Sequence, residues 1–527
     1  MPAEPRSDDP PRSTPTLPQQ RGEPGAVRPA PARAARTAYW PRLVAALALL
    51  ALLTRLPSFR LKLWNPDEGF LAVQARMLAD GGELYETVVD RKPPLLPWLY
   101  QGAFAVFGDD SLLPLKILAV LAHLATAVLL ASLARRRWGD SAGRTAGVLY
   151  LFLSVGLNPE DTQAATFEVF MLPATAAAVW CADRRRWACC GLAVAAAVLA
   201  KQTGGAVLLP VLWMLWRSRP RTGPGSGLRT GPGSGPRTGP GSRFRPRRAD
   251  VLRLAAGAVL PVLAAALATD PRGFLFWTVT GSGAYASFTG SELHVLSRAL
   301  TNAALLAVAC AGLLPAVVRV LRIARTGAAE LWLWLGASAA AVCVGFHFFG
   351  HYYLQLVPAL ALLGTAALQS LPRDWTPATL TTSALACALF LAWGFLAPRP
   401  DLAHAQRVAH AIGNATGPED RVLVWGMHPE TYWLADRTPA TRYLTAGFLT
   451  NYSGGRNGPQ VGEKYAVDGA WDVFRAELAA DPPALIVDDS RGKPYAPDAL
   501  PTLKALLAAG YERTAEVEDA VIYRRVG

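Results

Sequence analysis

A few residues in this chain combine reactive type with unusual placement. Asp67 and Glu68 stand side by side in Trp64-Asn-Pro-Asp-Glu-Gly, directly after an apolar run. Carboxylates at a membrane boundary are costly to desolvate unless they pair or serve a reaction. A carboxylate there can take the proton of an acceptor hydroxyl as that oxygen attacks an activated carbon. The plain alternative is that Asp67 caps a helix beginning near Glu68. Further on lies Asp90-Arg91-Lys92-Pro93-Pro94-Leu95. The double proline fixes an extended backbone and would hold Lys92 at a set height beside a bilayer, where a point cation suits a lipid phosphate. A lysine before two prolines is also ordinary in surface loops.

Two more ionisable residues sit at the ends of apolar runs: Glu168 in Thr166-Phe-Glu-Val-Phe-Met, and Lys201 in Lys-Gln-Thr-Gly-Gly. Such depth points to function, although snorkelling accounts for Lys201 and an ion pair of Glu168 with Lys92 or Lys201 is a purely structural alternative. Last comes His347-Phe-Phe-Gly-His351-Tyr352-Tyr353. Two histidines four apart on a helix share a face and could ligate a metal with a carboxylate. Substrate contacts by His351 and Tyr352 are the favoured reading, with aromatic-belt composition as the bland one.

The elements that must position these residues are membrane spans. Of 527 residues, 52% are hydrophobic and 17% charged, against about a quarter charged in soluble domains. Apolar blocks near residues 43–57, 111–133, 143–157, 164–182, 187–200, 203–216, 251–269, 299–318, 331–346, 352–371 and 378–397 predict about eleven transmembrane helices. Several are shorter than a straight span requires, and Gly and Pro inside them are tolerated in bundles. This composition excludes a cytoplasmic enzyme. The net charge of +13 comprises −3 over residues 398–527 and +16 elsewhere. That basic charge lies in short loops without interleaved aromatics, which excludes a nucleic-acid binder. The six cysteines lie in or beside apolar blocks, with no metal-site spacing.

Arg135-Arg136-Arg137, Arg184-Arg185-Arg186, the run from Arg217 to Arg248, and Arg319, Arg322 and Arg325 fall on one side if the helices alternate. The positive-inside rule makes that side cytoplasmic. The candidate residues all fall on the other side, in the loops 64–110, 158–161, 201–205, 270–296 and 347–351. An amphipathic helix in the interface is expected near residues 68–79. The expected domains are a disordered cytoplasmic leader (1–40), a multi-spanning membrane domain (41–397) and an extracytoplasmic domain (398–527). Within the membrane domain, residues 217–250 read as a flexible cytoplasmic linker, because a repeated Arg-Thr-Gly-Pro-Gly-Ser unit lacks any apolar face to bury. Buried-strand patterns at 421–426, 484–489 and 520–523, with helical patterns near 401–413, 471–480 and 499–509, predict a small α/β fold for the last region. The fold class is thus an all-α polytopic membrane protein with a C-terminal α/β domain outside the membrane.

The "DE" pair after the first helix, "DRKPPLLPWL", "FEVFMLP", "KQTG" and "HYYLQLVPALALL" occur in that order. As an ordered set they resemble the GT-C glycosyltransferases of the protein-mannosyltransferase and aminoarabinose-transferase type, over roughly residues 40–397. The resemblance implies a cell-membrane enzyme that moves a sugar, with inversion, from a polyprenyl-phosphate donor to an acceptor hydroxyl outside the cytoplasm. It places the proposed base on Asp67, the donor-phosphate lysine on Lys92 and the early-span acid on Glu168. Lys201 would join Lys92 on the phosphate, and Glu68 and Glu168 would position cations and sugar hydroxyls. With lysines neutralising the leaving phosphate, no cofactor is expected and a divalent metal is not required. The partners are the donor lipid, an acceptor glycan, lipid or protein, and the bilayer. A transporter or lipid flippase with an outer domain is the rival, but transporters place polar groups near the midplane and show repeated halves, neither of which is visible here.

Overall fold

The computed structural model describes residues 38–218, 248–281, 292–323, 328–455 and 459–526. Most of the leader and of the repeat-containing linker lies outside these residues. The chain divides into two compact units, Met1–Leu43 and Val44–Gly527. In the first, only the opening of α1 (Tyr39–Thr54) is described.

The second unit is mostly helical. Its elements are α2 (Pro66–Ala79), α3 (Leu95–Phe107), α4 (Leu113–Trp138), α5 (Asp140–Leu153), α6 (Phe167–Asp183), α7 (Trp187–Ala200), α8 (Leu208–Arg217), α9 (Arg248–Leu267), α10 (Glu292–Ala309), α11 (Leu314–Ile323), α12 (Ala329–Cys343), α13 (Val357–Gln369) and α14 (Trp375–Leu396). Among the described residues, four helices are long and apolar enough to cross a membrane, and α10 and α11 make a fifth if their 89° bend counts as one broken span. Other apolar helices are short: α7 has 14 residues and α12 has 15, lengths of about 21–23 Å against a hydrocarbon core of about 30 Å. Composition alone reads them as spans, and their length does not.

Arginines close one end of the bundle. Arg137, in the last turn of α4, pairs with Asp183 at the end of α6 (3.1 Å) and with Glu330 at the start of α12 (2.6 Å). Three helix ends therefore meet on one side, and the Arg184 guanidinium lies 3.9 Å from the Trp180 ring centroid there. The opposite end of α6 carries Glu168, so the arginine clusters and the candidate residues are separated by the length of that helix.

The C-terminal region opens with α15 (Pro400–Ala415), followed by β1 (Val422–Trp425), α16 (Glu430–Ala435), α17 (Ala470–Ala480), β2 (Leu485–Asp488), α18 (Pro501–Gly510), β3 (Tyr511–Val517) and β4 (Ala520–Arg525). The sheet order is β1-β2-β4-β3, with β1 and β2 parallel and the other pairs antiparallel. Val422 to Trp425 and Leu485 to Val487 are wholly buried, as continuous apolar runs in parallel strands should be. The core beneath the sheet is continuous with two loops of the membrane region. Leu84, Tyr85, Val88, Val89 and Trp277 pack in one cluster with Trp425, Phe448, Phe474 and Ile486.

Candidate active site

Asn65 starts α2. In extended conformation it caps the helix, its side chain accepting from the Glu68 N–H at 3.2 Å, with Pro66 at the first helical position. Asp67 is thereby relieved of the capping role that was its plain alternative. It is half-buried in the first turn, where the helix dipole favours a negative charge, and makes no hydrogen bond or ion pair among the described residues. Its charge reaches both Asp90 and Lys201.

Glu68 points elsewhere. It is fully buried, and its two carboxylate oxygens accept the backbone N–H groups of Trp64 (2.5 Å) and Ala165 (2.7 Å). Burial pushes its pKa up, against the opposing Lys116 charge and the backbone N–H donors. Lys116 in turn donates to the carbonyls of Ser58 (2.8 Å) and Leu61. Glu68 thus fastens the start of α2 to the strand-like approach of α6.

The loop bearing Lys92 is pinned on both sides. Asp90 Oδ1 accepts the Lys92 N–H at 3.1 Å, Tyr85 Oη donates to the Lys92 carbonyl at 2.9 Å, and Gln202 Nε2 donates to the Arg91 carbonyl at 2.6 Å. Pro94 then caps α3. The Lys92 ammonium lies 5.6 Å from the Phe167 ring centroid, one residue before Glu168. Burial raises the Asp90 carboxyl to about 6, against the Lys92 charge and with help from Asp67.

Glu168 and Lys201 form a buried ion pair, the structural alternative read from the sequence. One Glu168 oxygen, Oε2, has no hydrogen-bond partner among the described residues. The Lys201 ammonium sits 3.8 Å from the Tyr352 ring centroid. Lys201 ends α7 in extended conformation, and the chain turns back at once. A Cβ on Gly204 would stand 2.3 Å from the Ala197 carbonyl oxygen, so only glycine fits that return.

The histidine segment is not one helix. Gly345, Phe346 and Phe348 have positive φ, and a 3₁₀ turn begins only at Gly350. Phe349 is stacked between the two imidazoles, 5.7 Å from His347 and 5.5 Å from His351. The shared helical face expected of the two histidines is therefore not formed. His351 Nδ1 instead meets Asp161 Oδ1 at 2.7 Å, and its ring stands edge-on to Tyr352 at 4.9 Å.

The structure thus gathers Lys92, Glu168, Lys201, His351 and Tyr352 at one end of α6 and α7, with the Asp67 charge reaching Lys201 from α2, and turns Glu68 away. Residues outside the predicted set join them. Asp161 holds His351, Gln202 holds the Lys92 loop, and the Arg298 guanidinium lies 4.7 Å from the Phe349 ring centroid while donating to the His347 carbonyl at 3.1 Å. Asp161 and Gln202 lie in the Asn-Pro-Glu-Asp and Lys-Gln-Thr-Gly stretches and were findable there. Arg298 carries no local signal.

The fold agrees at the level of architecture with the resemblance that the ordered motifs carry. Residues 91–223, which include Lys92, Glu168 and Lys201, match the family model described as dolichyl-phosphate-mannose-protein mannosyltransferase. No curated protein sequence matches the chain significantly. Two solved structures of ArnT from Cupriavidus metallidurans share the fold. The apo form has a TM-score of 0.60 at 16% identity, and the form bound to undecaprenyl phosphate has 0.56 at 15%. Each alignment covers 93% of this chain and 98% of the ArnT chain, so the likeness includes the C-terminal domain.

Proposed function

We propose that this protein is an inverting glycosyltransferase that takes a sugar from a polyprenyl monophosphate and passes it to an acceptor hydroxyl on the extracytoplasmic face of the cell membrane. The observation that carries this reading is that the charge of Asp67, which has no hydrogen-bond or ion-pair partner among the described residues, reaches Lys201 beside the buried Glu168, with Lys92 over the neighbouring Phe167, in a fold whose ArnT representative binds undecaprenyl phosphate. Asp67 takes the proton as the acceptor oxygen attacks the anomeric carbon. The bond from that carbon to the phosphate oxygen breaks, and its electron pair leaves with the lipid phosphate. Lys92 and Lys201 meet the developing charge, Glu168 fixes Lys201, and the His351–Asp161 pair with Tyr352 closes the wall beside it. Lysine charge placed in advance stabilises such a leaving group without reorganisation at the moment of reaction.

In this reading the short helices and the bent α10–α11 pair complete a bundle of about eleven spans, with the arginine-closed end in the cytoplasm and residues 398–527 outside. Asp67→Asn should lower sugar transfer from radiolabelled polyprenyl-phosphate sugar in isolated membranes by at least 1000-fold at unchanged protein level. Full activity in that variant would remove Asp67 as the base.

A further inference from the structure

The helix that carries Asp67 is laid directly on the C-terminal domain. A Cβ built on Gly69 would stand 2.3 Å from Glu430 Cβ and 2.4 Å from Glu430 Cα, so the backbone of α2 touches the first turn of α16 with no side chain between them. Seven residues further along the same helical face, Arg76 bridges Asp109 (2.5 Å) and Asp436 (2.8 Å). Glu430 starts α16 and Asp436 caps it, so the two helices are joined at both ends. Trp433, between them, donates through Nε1 to the Asp109 carbonyl at 2.9 Å. Within its own domain α16 is fixed as well: the Tyr432 hydroxyl accepts from the Val424 N–H at 2.8 Å, and His428 Nδ1 meets Glu430 Oε1 at 3.0 Å. Asp67 lies two residues before the glycine contact, on an element whose position the sheet domain dictates.

We propose that the C-terminal domain is a working part of the active site: the Gly69–Glu430 backbone contact and the Arg76–Asp436 pair set the position of Asp67, which makes Gly69 and Arg76 positioning residues. The inference rests on the reading of Asp67 as the base. A displacement of about 1 Å in a reacting group can cost 100-fold in rate, and a methyl group forced against the α16 backbone requires a shift of that order.

The test uses the full chain in membranes. Gly69→Ala should lower kcat about 30-fold or more while the donor KM stays within about threefold, because donor binding does not depend on the base. Helix propensity offsets part of the crowding cost, and protein level is measured alongside activity. Gly102→Ala, at a helical glycine with open space around it, should keep wild-type activity. A structural defect and a positioning defect separate in a cycle with Asp67→Asn, read at high enzyme and long incubation. If Gly69 acts through Asp67, Gly69→Ala costs less than about threefold in the Asp67→Asn background. An equal loss in both backgrounds, or wild-type kcat in Gly69→Ala, overturns the proposal. Full activity of Asp67→Asn alone would instead sink the assignment of the base, a separate failure. Should Gly69→Ala not accumulate, Arg76→Gln leaves the contact face uncrowded. A tenfold loss of kcat confined to the Asp67 background supports the proposal, and an equal loss in both backgrounds overturns it.

Discussion

Two neighbouring carboxylates with the same chemistry have separate duties because their surroundings differ. Asp67 has no hydrogen-bond or ion-pair partner among the described residues and its charge reaches Lys201, whereas both Glu68 oxygens are taken by backbone amides. Glu68→Ala strips acceptors from two buried N–H groups, each worth about 1–3 kcal/mol. It should destabilise the protein by about 3 kcal/mol, seen as a lower midpoint in detergent melts, while Asp67→Asn leaves the melt unchanged. Equal melts for the two variants would contradict this division. Asp90 gives a pH signature. Its carboxyl is raised by burial to about 6 in the folded protein, against the Lys92 charge, and an unfolded Asp titrates near 3.9. The folded state therefore holds the proton more tightly, and the stability this contributes is present below pH about 4 and lost as pH rises through about 6. Asp90→Asn should stabilise the protein at pH 7.5 by about 3 kcal/mol, seen as a higher melting midpoint, and change little at pH 4. A constant difference across that range would mean that Asp90 titrates normally.

At the scale of elements, what could be read from the sequence tracks how locally each feature is specified. The helix expected near 68–79 is present as Pro66–Ala79, with a capping Asn and a first-turn Pro, but it is packed against α16 and largely buried. Buried strands at 422–425 and 485–488 were legible as short apolar runs between turn residues. β3 was not, because Tyr511–Val517 is mostly exposed and alternates weakly, and only its hairpin pairing with β4 makes it a strand. The histidine segment was misjudged as helical because spacing does not reveal the positive φ of Phe346 and Phe348. In the site, each ionisable residue was visible by its depth, but the pairing of Glu168 with Lys201 rather than Lys92 depends on the turn at Gly204. That turn is itself testable. Gly204→Ala would push a methyl group onto the Ala197 carbonyl and displace Lys201, so transfer should fall at least tenfold, with the donor KM rising because a phosphate cation has moved. An unchanged KM would place Lys201 outside the phosphate site.

The membrane region and the sheet domain are joined through one apolar cluster. The cluster that unites Leu84, Val88 and Trp277 with Trp425, Phe448 and Phe474 belongs equally to loops of the membrane region and to the sheet domain, and both lie in the second compact unit, Val44–Gly527. The C-terminal domain is therefore not a detachable module. A chain ending at Leu396 would leave that apolar surface in water, at about 25 cal/mol per Å² exposed, and should be found aggregated or degraded rather than folded and inactive. The arginine-closed ends of α4, α6 and α12 lie a helix length from Glu168, and the positive-inside rule predicts the cytoplasm for that end. Introduced cysteines at two exposed positions report it. A membrane-impermeant thiol reagent on intact cells should label Asp468→Cys above the wild-type background, whereas Arg185→Cys should react only after the membrane is opened. Labelling of Arg185→Cys alone in intact cells would invert the molecule, place Asp67 and both lysines in the cytoplasm, and require a donor facing inward.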